Sequence, residues 1–505
     1  MTNNVGFSTS AIDLTQINQS PQGIDQQINQ LLTPIADTFS SIIFYAITIG
    51  DSKIPLILVW LIVAALAFTL YFGFLNIRGF KHAVKVVKGD YSNPNDPGEV
   101  SHFQALSTAL SGTVGLGNIA GVAVAISIGG PGATFWMIIA GLLGMSTKFI
   151  ECSLGVKYRH IDETGKVRGG PMYYLRDGLA ELGFAKLGKV LAVFFAICCV
   201  VASLCGSNML QSNQAYQQFL VAMGGDSSIW SDKGWLFGTI LAALIAVVII
   251  GGIKKIAKFT STVVPVMAGI YLLAALFILA VNITEIPRAF GLIFEGAFNP
   301  EGVMGGIVGV IIQGFKRSAF SSEAGMGAAA IAHATASTKE PIREGYVALL
   351  EPFIDTVVIC TITALVIVIT GAYTSSDGID GVVLTSRAFE SVIWWFPYLL
   401  SVAVLLFAIS TMISWAYYGS IAWGYLVGDS KALDLLYKFI FCLFTIIGAS
   451  ISLKAVIDIS DAMFFSMSIA NILGLYLLAP LVKRDLLSYQ TKYQHNSTAT
   501  APAGE

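Results

Sequence analysis

The stretch 103–121, FQALSTALSGTVGLGNIAG, most constrains what this chain can become. It is apolar enough to enter a bilayer, yet Ser111, Gly112, Thr113, Gly115, Gly117 and Asn118 crowd its middle. Glycine in a helix interior costs about 1 kcal/mol relative to alanine. These glycines, beside two hydroxyls and an amide, predict a helix that opens near mid-span. Opening frees carbonyl and N–H groups, which hydrocarbon tolerates only where the backbone lines a protein cavity or holds a ligand. Freed carbonyls suit a small cation, and the N-terminal end of the outer half-helix favours an anion such as a carboxylate. A glycine-rich helix packed closely on its neighbours would show the same composition.

The surroundings are those of a membrane protein. The 505 residues are 55% hydrophobic and 12% charged, against about 25% charged in soluble domains. A net charge of −2 gives no sign of a nucleic-acid partner. The six cysteines lie in apolar segments and read as small packing residues. The first 35 residues are polar and lack the basic-then-apolar pattern of a signal peptide.

A span needs about 20 apolar residues. Eleven segments qualify, at about 54–75, 104–127, 132–155, 187–215, 235–252, 260–282, 302–336, 345–371, 394–427, 433–451 and 457–482. The chain thus divides into a polar tail with a short interfacial helix (1–53), an all-α polytopic membrane domain (54–482) and a C-terminal tail (483–505). Most of the 29 lysines and arginines lie on one side of this arrangement, in the loops 76–103, 156–186, 252–259 and 337–344 and in the tail. The other side holds only Lys53, Lys233, Arg288, Arg387 and Lys454. By the positive-inside rule the N-terminus is outside and the C-terminus cytoplasmic, in a bacterial-type inner membrane.

An internal repeat points further. ALSGTVGLGN (109–118) aligns with AFSSEAGMGA (319–328), matching Ala109 with Ala319, Ser111 with Ser321, Gly115 with Gly325 and Gly117 with Gly327. These stretches lie in the second and seventh spans, which run in opposite directions. Each opens a block of five, with repeats at about 104–282 and 302–482. Interrupted helices at corresponding places of inverted halves point to a secondary transporter with its site at the midplane. A channel would show a ring of repeated charges or carbonyls. An intramembrane enzyme is disfavoured, since only His333 among the histidines lies within a span and no HExxH or Gly-x-Ser-x-Gly motif occurs.

SGTVGLGNIAGVAVAISIGGPGATFWM (111–137), GGIKKIA (251–257), AFSSEAGMG (319–327), FIDTVVICTITA (353–364) and LFAISTMISWAYYG (406–419) resemble the alanine/glycine:cation symporters, over roughly residues 50–485. The resemblance implies a LeuT-type core of five plus five inverted helices, here preceded by one extra helix. It also implies Na⁺-coupled uptake of small neutral amino acids such as alanine and glycine by alternating access. A same-fold carrier that uses H⁺, or prefers glutamine or asparagine, is the alternative. The chain departs from the family's usual pattern at Ser322, Ala329–Ala330 and 460–472, which bears on the substrate.

For an amino acid substrate, N–H groups at Leu116 and Gly117 are the candidates for its carboxylate, beside the Thr113 hydroxyl. Carbonyls around Gly112 and Thr113, and those of Phe320 and Ser321, are candidates for its ammonium. Thr113 has a plainer use, bonding back to its own turn. In the LeuT-type fold one sodium site lies between the first and eighth core helices. Carried over, it comprises the carbonyls of Ser111, Val114 and Phe407 and the hydroxyls of Ser410 and Thr411. Positions 407, 410 and 411 share one helix face. Asn118 is a weaker ion ligand. Asn208 and Gln211, three apart, share a face of the fourth span, and Gln211 is the pocket candidate. Trp415 either walls the pocket or packs against a neighbour. The charges within spans each cost about 2.5–3.5 kcal/mol at a helix centre and need partners. Lys148 and Glu151 are expected to snorkel from the inner end of their span. Asp355 is expected to pair with a base. Glu323 is expected to tie the second break, to bind Lys316 or Arg317, or to respond to protons.

Overall fold

A computed structural model gives the fold and describes residues 33–34, 37–49, 52–299, 305–374 and 381–499. All eleven apolar segments contain helix. After α1 (Leu56–Tyr71) comes a bent pair, α2 (His102–Thr113) and α3 (Val122–Gly129), joined through a π-helical turn at Gly117–Gly121. Then follow α4 (Ala133–Lys157), α5 (Ala185–Ala222), α6 (Gly234–Ile249) and α7 (Gly252–Val281). A second interrupted helix consists of α8 (Gly306–Ser322) and α9 (Ala329–His333). The chain continues through α10 (Pro341–Thr370), α11 (Phe396–Val427), α12 (Lys431–Ser450) and α13 (Leu453–Ala499). Among the described residues, seven helices are long and apolar enough to cross a membrane, and the bent pair makes an eighth crossing. α1 and α6 are shorter apolar helices.

Three boundaries differ from expectation. The interfacial helix stops at residue 43, and Ala46–Ile49 instead pairs antiparallel with Ser52–Pro55. The alternating Ile-Thr-Ile there suits a strand. The C-terminal tail begins as a continuation of α13, which runs on past residue 483. Short helices at Phe80–Lys88, Pro171–Glu181, Ile286–Phe298 and Val382–Glu390 lie outside the expected spans. Most of the expected polar tail lies outside the described residues.

Local chemistry explains the starts. Ser101 caps α2 by accepting from Gln104 N, while the Gln104 side chain accepts from Ser101 N. That reciprocal box satisfies two of the otherwise unpaired N–H groups at the helix start. The outward faces of α6, α7 and α12 show apolar residues at helical spacing, including Ile240, Leu244, Val247, Leu273, Phe277, Phe439 and Leu443, all exposed. Such a belt suits lipid and would be a liability in water. Behind it α2 packs against α7, α9 and α11.

Several charges within the spans are paired inside the protein. Lys148 and Glu151 do not snorkel, since both are fully buried. Lys148 donates to Glu351 on α10 at 2.9 Å. Lys316 and Arg317 both reach Asp461 on α13, the former at 2.8 Å.

Candidate functional site

The first break is held open by side chains. The Gly115 N–H donates to Asn118 Oδ1 at 2.9 Å and the Leu116 N–H to Gln211 Oε1 at 3.4 Å, while Asn118 N–H turns to the Gly115 carbonyl at 3.2 Å. In a continuous helix these three N–H groups would bond to the carbonyls of Ser111, Gly112 and Val114. Those carbonyls therefore lose their regular donors. Val114 is extended, with ψ 95°, and the half-helices bend by 51°.

The second break differs in origin. α8 ends at Ser322, Glu323 adopts φ +54°, and Gly325 and Gly327 have φ +92° and +80°. Here glycine supplies a left-handed backbone that other residues avoid. The strand of chain is tied from outside. Glu151 Oε1 accepts from Gly327 N at 3.1 Å and from Asn471 Nδ2 at 2.7 Å, and Asn471 also donates to the Gly325 carbonyl at 2.8 Å. The tying role expected of Glu323 thus falls to Glu151. Glu323 Oε1 instead accepts from Trp415 Nε1 at 3.0 Å, and Lys316 and Arg317 are committed to Asp461.

The breaks meet at Asn118. Its Nδ2 donates to Asp355 Oδ1 at 2.6 Å and to Ser321 Oγ at 3.2 Å, and Ser321 donates to Asp355 Oδ2 at 2.7 Å. Thr356 donates to the same Oδ2 at 2.7 Å. Asp355 therefore pairs with amide and hydroxyl groups and with no base, contrary to expectation. A carboxylate satisfied by neutral donors stays available to a cation. Nothing in the sequence put Asp355 beside Asn118. The available signal was an aspartate in an apolar span with no base nearby along its helix.

Beside the first break lies α11. Ser111 donates to the Ser410 carbonyl at 2.8 Å, Ser410 to the Phe407 carbonyl at 3.0 Å, and Ser414 to the Thr108 carbonyl at 3.1 Å. The Thr411 hydroxyl is buried with no hydrogen-bond partner. A Cβ on Gly115 would lie 2.5 Å from it. An unpartnered buried hydroxyl costs about 1–3 kcal/mol. It lies beside the first break, whose carbonyls have lost their regular donors, and hydroxyl plus carbonyl oxygens form the donor set of a hard monovalent cation. Ser111, Ser410 and Phe407 are thus linked by hydrogen bonds, and Thr411 lies against the backbone at Gly115, next to Val114.

Of the substrate candidates, Gly112, Leu116, Gly117, Gln211, Phe320, Ser321 and Trp415 converge. A Cβ on Gly112 would stand 3.3 Å from the Tyr418 ring and 3.6 Å from Trp415 Nε1, and one on Gly117 would stand 3.6 Å from Ser321 Cα. Trp415 is fully buried, at 5.3 Å from Tyr418 and 4.7 Å from Phe464 between ring centres, and Phe464 in turn meets Phe320 at 5.0 Å. These rings pack in a continuous row beside the two breaks. Thr113 does not join them: its hydroxyl bonds back to Ala109 O at 3.3 Å. Asn208 also leaves, donating to Phe441 O at 2.6 Å and accepting from Thr445 at 2.8 Å. The π-helical run Ala202–Met209 turns it away from the Gln211 face.

Comparison with known proteins accords with this geometry. Residues 39–502 match the sodium:alanine symporter family. The sodium/alanine symporter AgcS of Methanococcus maripaludis is 41% identical over 85% of this chain and 92% of its own. The probable sodium/glutamine symporter GlnT of Bacillus subtilis is 34% identical, covering 85% and 87%. The putative sodium/proton-dependent alanine carrier YrbD of the same organism is 34% identical, covering 84% and 87%. The crystal structure of MhsT with L-phenylalanine, a LeuT-type fold, superposes with a TM-score of 0.50 at 16% identity, covering 77% of this chain and 99% of that one. With two interrupted helices facing each other in a multi-pass membrane fold, and with relatives that are transporters and not enzymes, the chain belongs to the sodium:alanine symporter family.

Proposed function

We propose that the protein carries a small neutral amino acid, alanine or glycine, into the cell together with Na⁺ by alternating access. The observation that carries this reading is the unpartnered Thr411 hydroxyl beside the released carbonyls of Ser111 and Val114. Na⁺ there joins α2 to α11. The amino acid lies alongside, its carboxylate toward Leu116 and Gly117, its ammonium toward the Phe320 and Ser321 carbonyls and its side chain toward Trp415. Asn118 belongs to a second, Asp355-centred oxygen cluster. A ligand drives the switch only by binding the two states differently, and an ion shared by a broken helix and its neighbour does so. The membrane potential adds about 2.3 kcal/mol per charge per 100 mV. The N-terminus lies outside and the C-terminus in the cytoplasm, so entry runs toward the basic side.

The test is labelled alanine uptake into proteoliposomes under a Na⁺ gradient, with K⁺ or choline as controls. Wild-type protein is expected to accumulate alanine only with Na⁺. Thr411→Ala is expected to raise the Na⁺ half-saturation about tenfold or more, the effect of losing one ligand worth about 1.4 kcal/mol. Accumulation that follows a pH gradient without Na⁺ would replace the coupling ion with H⁺. Glutamine outcompeting alanine would replace the substrate.

A further inference from the structure

Where α1 ends, a cavity of about 550 Å³ opens between the turn that follows it and the C-terminal extension of α13. Two basic side chains line it, Arg78 and Lys483, and among the described residues no carboxylate does. Lys483 Nζ donates to the Tyr71 carbonyl at 2.8 Å and lies 4.1 Å from the centre of the Tyr71 ring. Arg78 Nη1 reaches the Gly73 carbonyl at 3.4 Å. An ammonium has three donors and a guanidinium five, so these ties to the end of α1 leave both groups with donors to spare. The acids close by in the chain point elsewhere. Asp485, two residues past Lys483, is turned to Lys157, and Glu340 to Lys492. His82, also in the lining, is bonded to Tyr489 at 2.8 Å.

Much of the remaining lining is apolar, with Leu70, Phe72, Leu75, Leu486 and Leu487. Leu487 is exposed. On α1 the exposed residues Val59, Val63, Leu66 and Leu70 fall at helical spacing and form a stripe that runs down to the cavity. Ile77, next to Arg78, is exposed as well. Such a stripe suits acyl chains. Tyr71 lies where the stripe meets the basic pair, as tyrosine does at the headgroup level of a bilayer. The groove thus has a cationic head that lacks a counter-charge and an apolar flank leading away from it.

We propose that this groove binds an anionic phospholipid, its phosphate held by Arg78 and Lys483 and an acyl chain lying along the exposed stripe of α1. A guanidinium meets a phosphate through paired N–H groups, and the ammonium adds a point charge. Basic pockets between membrane helices are suited to anionic headgroups. A zwitterionic headgroup fits less well, because its own cation finds no carboxylate in the lining. A soluble phosphate would fill the head of the groove and leave the apolar flank unused. The bound lipid bridges the first helix of the bundle to the last. The site stands independently of the transported solute and its coupling ion.

The experiment is native mass spectrometry of the detergent-purified full-length protein, titrated with dioleoyl phosphatidylglycerol, dioleoyl phosphatidylcholine or glycerol 3-phosphate. One phosphatidylglycerol is expected to be retained about tenfold more tightly than phosphatidylcholine, and glycerol 3-phosphate is expected not to be retained. Arg78→Gln with Lys483→Gln is expected to abolish the preference. Lys254→Gln with Lys258→Gln removes two exposed charges from another part of the molecule and is expected to keep it. Hydrogen exchange locates the lipid. Phosphatidylglycerol nanodiscs, against phosphatidylcholine ones, are expected to slow exchange of residues 72–79 and 483–490 about fivefold at unchanged protection of α11. Equal retention of the two lipids overturns the proposal, as does a preference that survives in the Arg78 and Lys483 variant or disappears in the Lys254 and Lys258 variant. Glycerol 3-phosphate retained as tightly as phosphatidylglycerol makes this a site for soluble phosphate and overturns the lipid. If the Arg78 and Lys483 variant does not fold, the hydrogen-exchange comparison on the wild-type protein decides.

Discussion

Gly115→Ala is expected to lower Na⁺-driven alanine uptake about a hundredfold while the protein still folds and inserts. The added Cβ would sit 2.5 Å from Thr411 Oγ1 and 3.5 Å from the Gln211 amide. The backbone itself would accept alanine, because Gly115 is not among the residues with positive φ. The conflict is one of space alone. Thr411 relieves it only by rotating its hydroxyl out of the ion position or by pushing α11 from α2, and a β-branched side chain has few rotamers to choose from. Misplacement by about 1 Å in an oriented site costs on the order of a hundredfold. Gly121→Ala is the control. It lies in the π-helical turn that follows the break, with nothing within 4 Å of a Cβ, so its uptake is expected to match wild type. Normal uptake and Na⁺ dependence in Gly115→Ala would remove Thr411 from the ion position.

The largest loss of stability is expected from Lys148→Met. Its ammonium is fully buried against Glu351, itself fully buried. Removing one partner of such a pair leaves the other as an uncompensated charge, at a cost of about 3–5 kcal/mol. Changing both, Lys148→Met with Glu351→Gln, is expected to recover most of that, because no bare charge then remains. Thermal unfolding of the purified protein in nanodiscs reads the difference. Lys454→Ala, which removes an exposed pairing to Asp458, is expected to leave unfolding unchanged. Equal destabilisation by the single and double changes at 148 and 351 would show that packing around the lysine stem, and not charge, holds α4 to α10.

The sequence carried the helical membrane architecture because hydropathy is summed over whole segments, and errors of a few residues cancel. It carried the breaks for a reason that was half right. Gly325 and Gly327 are where they are for backbone freedom, as glycine-rich runs suggest. Gly112, Gly115 and Gly117 have ordinary φ and serve instead to let α11 and α8 come close. Spacing arguments failed where the helix is not α. Asn208 and Gln211 share a face only at 3.6 residues per turn, and the π-helical run through Asn208 breaks that register. π-helical runs also carry Asn118 and Asp355, and nothing in composition announces one. Partners distant in the chain were equally hidden. Lys148 and Glu151 look like end-of-span residues until α10 and α13 bring Glu351 and Asn471 beside them.

The Lys148–Glu351 pair also has a meaning for how the protein is made. The partners are 203 residues apart. At about 5–20 residues per second, glutamate 351 leaves the ribosome roughly 10–40 s after lysine 148. During that interval Lys148 has only Glu151 of its own helix nearby and lacks the carboxylate it bonds in the finished fold, and Asn118 likewise awaits Asp355, 237 residues downstream. The early helices cannot settle into lipid as a finished half. They have to wait at a wet interface, or against the insertion machinery, until the later helices arrive. Truncation of the chain before α10 therefore leaves Lys148 and Asn118 without the buried partners they bond in the finished fold.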